Sequence, residues 1–488
     1  MSGNLKSKTK KGLIWSSIER FATQGIQFIF GVILARLLSP EDYGTIAMPL
    51  VFLAIAQSFI DSGFSSALIR KLDLTEDDLS TAFYFSLGVG IICYIVLFVT
   101  SPLIAEFYKT PILTDLLQVT ALATLFNPLC AVQQAILTRK IDFKKQAIVS
   151  LSGALVSGIV GLVMAYNGFG VWSLVCQQVG GYLIRTILLW ILCKWKPKRR
   201  WSWQSFHYLW GFGSKILGSG LLNTIYNNIY PIVIGKLFSA NDLGNYIRAQ
   251  QYSALPSSNV TGVIQRVTFP VLSSIQNEDE RLAVNYRKIL RLSAFLIFPM
   301  MMMLSAIADP LIKIMLTDKW DGCIILLQIV CFDMMWFPIH AINLNLLQVK
   351  GRSDLFFRLE VIKKSLGVCI MIITIPHGVI WMVSGGVIGS LLALIINTYY
   401  TGKLINVGFF KQMADLLPIF GVSFLMWIAI HTTLMLASNI FVQLSIGICI
   451  GGIVYLLVSK FLLKSEWNEI IDMLPDKFKM KYMKYIKN

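Results

Sequence analysis

Charge is what this chain has least of. Asp, Glu, Lys and Arg make up 14% of its 488 residues, and 56% are hydrophobic, whereas ordinary globular domains carry about 25% charge. A soluble domain with a solvated surface is therefore excluded. Acidic residues are scarcer than basic ones, 26 against 43, for a formal net charge of +17. Eight cysteines stand alone at 93, 130, 176, 193, 323, 331, 369 and 449, without a Cys-x-x-Cys pair. That pattern excludes a thiolate metal site and predicts free, core-filling thiols. There is no Gly-x-x-x-x-Gly-Lys-Ser/Thr loop, so ATP-driven pumping would need another chain. No loop between apolar runs is long enough to fold alone, and no cleavable signal peptide is expected at the start. Alternation at period 2 is missing too, which excludes a β-barrel.

What is present is a series of apolar runs near 20 residues, each able to cross ~30 Å of hydrocarbon as a helix. We read an all-α polytopic membrane protein with about fourteen transmembrane helices. The expected spans are 12–36, 43–68, 81–107, 112–137, 145–166, 171–194, 207–236, 242–270, 288–316, 322–347, 356–376, 378–401, 411–436 and 439–463. Alternate loops concentrate the cations, among them Arg70 and Lys71, Arg139 and Lys140, and Lys194–Arg200. Basic loops stay inside, which places both termini in the cytoplasm. The same placement explains the net charge better than nucleic acid does, so no nucleic-acid partner is expected. The most basic loop, Lys194–Trp203, suits an interface with anionic membrane lipid, though its plainer reading is an anchor between two halves.

Those halves repeat. Val32–Gly44 (VILARLLSPEDYG) matches Ile232–Gly244 (IVIGKLFSANDLG) at an offset of 200, with Leu, Ser, Asp and Gly identical at 37/237, 39/239, 42/242 and 44/244. Ser39 and Ser239 are expected N-caps. Ser101–Thr110 is echoed by Asp309–Trp320, and Ile136–Phe143 more weakly by Leu346–Phe356. Each pair lies six spans apart, which predicts a parallel repeat about an axis along the membrane normal. The expected organisation is a lobe over 1–200, a second over 201–403, two additional spans over 404–464, and a basic tail over 465–488.

Ionisable residues in a spanning helix are costly and usually face an internal cavity. In the first span Ser16, Arg20, Thr23 and Gln27 form one helical stripe beside Glu19. In the seventh, Lys215, Ser219, Asn223, Tyr226, Asn227 and Tyr230 do the same, with 23/223 and 27/227 again related by 200. The eighth span is the least apolar and carries Arg248 and Arg266, with Pro256 expected to interrupt it. Arg185, Asp333 and His340 complete the set, with Pro49, Gln57 and Asp61 in the second span. Arg20, Lys215, Arg248, Arg266 and Arg185 outweigh Glu19, Asp61 and Asp333, so the expected ligand is anionic, and Arg suits phosphate. Thr23, Gln27, Asn223, Asn227 and Tyr226 would supply polar lining. Glu19, Asp61 and Asp333 are the candidates for coupling to a proton or Na+; no cofactor or metal is expected. The plainer readings are snorkelling for cations near helix ends, interhelical hydrogen bonding for His340 and mid-span amides, and close packing for Gly153, Gly158, Gly161, Gly385, Gly386 and Gly389.

The early turn Ala35–Gly44 (ARLLSPEDYG), the region Gly211–Pro270 and the two-lobe layout resemble the bacterial polysaccharide transporter family. That family belongs to the multidrug/oligosaccharidyl-lipid/polysaccharide exporter superfamily, and the resemblance covers nearly the whole chain. It implies a non-enzymatic flippase for undecaprenyl-diphosphate-linked oligosaccharides of O-antigen, colanic-acid or teichuronic-acid type, working by alternating access in the inner membrane. It also implies a cationic cavity to which Arg20, Arg248 and Arg266 would contribute, because related lipid II flippases place arginines in the first and eighth helices. A polymerase and chain-length machinery would be partners. The rival readings are a drug exporter of the same superfamily, which would favour acidic cavities, and a membrane glycosyltransferase or polymerase, which would need larger outer loops.

Overall fold

The computed structural model describes residues 2–198 and 200–473. The described residues are 88% helical, with no strand among them. Its helices fall into two compact units, 1–244 and 245–488. Most of the expected basic tail, from residue 474, lies outside the described residues.

The first unit contains α1 (Ser2–Leu37), α2 (Pro40–Asp61), α3 (Phe64–Arg70), α4 (Glu76–Tyr108) and α5 (Leu113–Thr120). It continues with α6 (Ala123–Arg139), α7 (Phe143–Tyr166), α8 (Val171–Cys193), α9 (Trp203–Asn227) and α10 (Ile229–Leu237). The unit boundary falls inside α11 (Ala240–Ser274). The second unit follows with α12 (Asp279–Ala306), α13 (Ala308–Leu316), α14 (Asp321–Met334), α15 (Phe337–Val349) and α16 (Ser353–Thr374). It ends with α17 (Val379–Ile405), α18 (Phe409–Leu434), α19 (Ile440–Leu462) and α20 (Lys464–Met473).

Among the described residues, ten helical stretches are long and apolar enough to cross a membrane. Four further expected spans, 12–36, 207–236, 242–270 and 356–376, are helical but too polar to join the ten. These four carry Arg20, Lys215, Arg248 with Arg266, and Lys363 with Lys364.

Two expectations about interruptions change. α11 passes continuously through Pro256 and Pro270, because one proline removes one donor and neighbouring side chains can re-satisfy the backbone in a packed helix. The break falls instead in the seventh span, at Asn228, where Pro231 denies the chain a donor one turn later. Asn228 Nδ2 caps the interrupted turn by donating to the Thr224 carbonyl at 2.8 Å.

Lipid gives helices no hydrophobic reason to associate, so close packing carries the contact. A methyl at Gly158 of α7 would lie 2.4 Å from the Phe30 ring of α1, and one at Gly385 of α17 would lie 2.9 Å from Thr374 of α16. In the first unit Phe64, Leu68, Phe83, Val132 and Leu209 form a buried cluster. In the second, Tyr286, Phe298 and Trp320 are the largest fully buried side chains. All eight cysteines are free thiols.

The repeat is visible in local geometry. Ser39 and Ser239 both cap with a reciprocal box. Asp42 N–H donates to Ser39 Oγ at 3.2 Å and Asp242 N–H to Ser239 Oγ at 3.0 Å, while each Asp carboxylate receives the serine hydroxyl, at 2.8 and 2.6 Å. The corners also meet reciprocally. A Cβ on Gly44 would stand 1.7 Å from the Ala240 carbonyl oxygen, and one on Gly244 1.9 Å from that of Pro40. The weaker echo holds as well: α6 and α15 end in the same left-handed turn, through Ile141 (φ 57°) and Gly351 (φ 68°). Asp142 N–H closes back on the Leu137 carbonyl at 3.0 Å, and Arg352 N–H on that of Leu347 at 2.8 Å.

Candidate functional site

In the first unit, α1 packs on α7 and leaves Arg20 and Gln27 exposed. Glu19, beside them, accepts from the Ser150 hydroxyl of α7 at 2.6 Å, which fixes the rotation of α1. Thr23 turns the other way, its hydroxyl buried without a partner. On α9, Lys215, Asn223 and Asn227 are exposed and Tyr226 is half-buried. Thr224 bonds the Ser58 hydroxyl of α2 at 2.9 Å and so turns that stripe outward. Arg20 and Gln27 of the first predicted stripe, and Lys215, Asn223 and Asn227 of the second, are thus exposed, and each set includes a cation.

Asp61 and Arg185 form a second feature of this unit. Gln57 Nε2 donates to Asp61 Oδ1 at 2.8 Å, one helical turn away. Arg185 lies on α8, which packs against α2. Arg185 Nε is buried and unpartnered. The structure thus places one predicted cation and one predicted coupling acid on neighbouring helices.

In the second unit, Arg248 is 4% exposed. It donates to Gln251 Oε1 at 2.6 Å and stands 5.8 Å from the centre of the Trp320 ring. Arg266, on the same helix, is exposed. Asp333, at the end of α14, is half-buried. The sequence reading singled out His340 without its partners. Its two ring nitrogens lie 3.0 Å from Ser390 Oγ and 3.0 Å from Asn397 Nδ2. The signal for those partners was present, since Ser390, Asn397 and Thr401 share one face of α17 by spacing. Thr401 extends the stripe to Asn343, at 2.8 Å, which pairs reciprocally with Gln412 at 3.1 Å.

The basic loop after α8 is strapped to the start of α4. Lys198 N–H donates to Ser80 Oγ and Ser202 N–H to Thr81 Oγ1, both at 3.1 Å, while Trp195 Nε1–H reaches Glu76 at 3.3 Å. Trp201 and Trp203 stay exposed, as an interfacial anchor would. No group of three or more His, Cys, Asp or Glu able to hold a metal occurs among the described residues.

Solved structures share this architecture. The lipid II flippase MurJ in an inward closed conformation superposes with a TM-score of 0.74 at 18% identity, covering 93% of this chain and 99% of that one. An inward-facing multidrug resistance MATE family transporter of the MOP superfamily superposes with a TM-score of 0.62 at 15% identity, covering 79% and 98%. At these identities the likeness establishes the fold: a multi-pass, all-helical transporter architecture of the MurJ and MATE type. The sequence places it further. The model of the family described as polysaccharide biosynthesis protein matches residues 33–325, more than half the chain, and the chain belongs to that family. The lipopolysaccharide biosynthesis protein WzxC of Escherichia coli is 26% identical over 401 residues, 81% of this chain and 80% of that protein. The teichuronic acid biosynthesis protein TuaB of Bacillus subtilis is 25% identical over 356 residues, 72% and 74%.

Proposed function

We propose that this protein is a transporter that flips lipid-linked oligosaccharide units across the bacterial inner membrane for surface polysaccharide synthesis. The observation that carries the reading, beside family membership, is where the cations lie. Four of the five, Arg20, Lys215, Arg248 and Arg266, sit on helices too polar to count as ordinary spans, and Arg20, Lys215 and Arg266 there are exposed. A diphosphate needs such donors, and Arg binds it through paired hydrogen bonds. The undecaprenyl tail would stay in lipid while the glycan is handed across by alternating access of two six-helix lobes, 1–200 and 201–403, with two further helices over 404–464. Arg248, buried and already partnered by Gln251, positions its helix in this scheme, as does the half-buried Arg185. Coupling to a proton or Na+ falls to Glu19, Asp61 or Asp333. The loop charges support cytoplasmic termini, and a polymerase with chain-length machinery would take the product.

The test is replacement of Arg20 and Lys215 by Ala in the producing strain. Surface polysaccharide should fall at least about tenfold, equivalent to about 1.4 kcal/mol of transition-state or binding energy, with the protein still present in the membrane. Complete lipid-linked units should accumulate inside. Unchanged polysaccharide would remove these cations from the site. Accumulation of incomplete units would point to synthesis, and lost drug resistance to an exporter of organic cations.

A further inference from the structure

In the second unit, α12, α17 and α18 are each long and apolar enough to span a membrane, and one end of each borders the same cavity. Its volume is about 570 Å³, within the roughly 300–1,000 Å³ of ordinary ligand sites. None of the residues offered above for the oligosaccharide lines it. One wall is the start of α12, with Asp279, Glu280 and Arg287. The other is the turn from α17 into α18, with Lys403, Asn406 and Lys411.

Bonds within the protein fix both walls. α17 closes at Asn406 in a left-handed conformation, φ 57°. The chain then returns so tightly that a Cβ on Gly402 would stand 3.0 Å from the Gly408 Cα. Gln412 Nε2 donates to the Val407 carbonyl at 3.0 Å and to Asn343 Oδ1 of α15 at 3.1 Å, which ties the turn to the core of the unit. Arg287 donates to Asp415 of α18 through Nε and Nη2, both at 2.7 Å, so this pair joins the walls and cancels its own charge. The cavity is preformed, and a ligand would not have to order it.

The remaining charge is divided across the space. Lys411 Nζ donates to the Asn406 carbonyl at 2.8 Å, and Lys403 Nζ stands 4.6 Å from the centre of the Tyr399 ring. Both partners are neutral, so both ammonium groups keep their charge. On the α12 wall Asp279 is paired with Lys350 at 2.5 Å, and Glu280 is exposed. A simple phosphate would meet two lysines but also the Glu280 carboxylate. A group with a phosphate at one end and an ammonium at the other satisfies both walls. The surroundings are apolar: Val284 in the lining is 67% exposed, and Phe410, next to Lys411, is 86% exposed. Exposed apolar residues at the ends of spanning helices mark a boundary with lipid.

We propose that this cavity binds the headgroup of a zwitterionic membrane phospholipid with a primary ammonium, of the phosphoethanolamine class. Its phosphate takes charge-assisted hydrogen bonds from Lys403 and Lys411. Its ammonium, with three N–H donors, goes to Glu280, and its acyl chains lie against the apolar residues beside the cavity. A trimethylammonium headgroup carries the same charges but has no N–H to donate. An anionic glycerol headgroup leaves Glu280 without a partner. The site needs no transported substrate and stands independently of the transport reading.

The experiment is native mass spectrometry of the full-length protein in detergent, titrated with phosphatidylethanolamine, phosphatidylcholine or phosphatidylglycerol of matched chains. The ethanolamine lipid should bind at least about tenfold more tightly than the choline lipid, the size of one charge-assisted hydrogen bond. Lys403→Gln combined with Lys411→Gln should lower that affinity by a similar factor, and Glu280→Lys should turn the preference towards phosphatidylglycerol. All three side chains are exposed, so neither variant removes a packed group. Equal affinity for the three lipids, or a preference unchanged in both variants, overturns the site. Free phosphoethanolamine binding as tightly as the lipid would make the occupant a soluble phosphate and overturns the lipid assignment.

Discussion

Two helices of this protein begin alike and continue differently. α2 and α11 start from the same capping box, at Ser39 and Ser239, and each start sets its glycine against the other's backbone. α2 then stays apolar around the buried Met48 and stops after 22 residues, in the left-handed pair Ser62 and Gly63. α11 carries the buried Arg248 at the equivalent place and runs on for 35 residues through two prolines. Four residues of capping chemistry suffice to start a helix in one geometry. How far it goes, and whether it can hold a charge, is decided by what surrounds it.

The glycine crossing is where the comparison breaks hardest. Gly44→Val and Gly244→Val each drive a side chain into a carbonyl less than 2 Å from the new Cβ. Each should cost on the order of 3 kcal/mol or prevent assembly, as overpacking against immovable backbone does. Thermal unfolding in nanodiscs reads the loss, and tolerance of either variant would show that the corners do not meet. Ser39→Ala and Ser239→Ala should each cost about 1 kcal/mol, the usual worth of a side-chain cap. Equal losses would confirm that the corners are energetically the same, and unequal ones would show that one cap matters more.

The second pair of turns gives a finer contrast. Ile141 adopts a left-handed conformation that costs a β-branched residue about 1–2 kcal/mol, and Gly351 does the same without that cost. Ile141→Gly should therefore stabilise the protein by about 0.5 kcal/mol after the added freedom of the unfolded chain is subtracted, and Gly351→Ile should destabilise it. A gain from the second substitution would remove the equivalence.

Beyond these turns the caps differ. Asp142 receives the Lys145 N–H at 3.3 Å at the start of α7, whereas Asp354 in α16 is held by Arg352 through two hydrogen bonds of 2.9 and 2.8 Å. Those bonds from the guanidinium pull the Asp354 carboxyl down to about 2. Its unfolded value is about 3.9. Because the folded value is the lower one, the contribution is present above about pH 4 and is lost as pH falls towards about 2. The melting difference between wild type and Asp354→Asn should be small and constant above that range and vanish below it, since both partners are exposed.

Much of the fold was legible from local pattern. Long apolar runs mark spans because the bilayer sets their length, and Ser-x-x-Asp marks a helix start because the cap closes within four residues. The polar faces of α1 and α9 followed from period alone, and Arg20, Lys215, Asn223 and Asn227 are exposed as that period requires. Pro256 misled the reading, because the cost of one missing hydrogen bond depends on what else can supply it. Asn228, beside Pro231, is where the helix yields instead.

What only tertiary structure decided is the company each polar residue keeps. Arg248 and Arg20 look equivalent as cations in spanning helices, yet one is buried against Trp320 and Gln251 and the other is exposed. His340 meets Ser390 and Asn397, and Thr401 meets Asn343, across helices far apart in the chain. Periodicity assigns a residue to a face of its own helix at a fixed angle per residue. It carries no information about which other helix that face will meet, because that depends on packing summed over the whole unit. In a medium where a lone charge is costly, that choice of neighbour determines what each ionisable group can do.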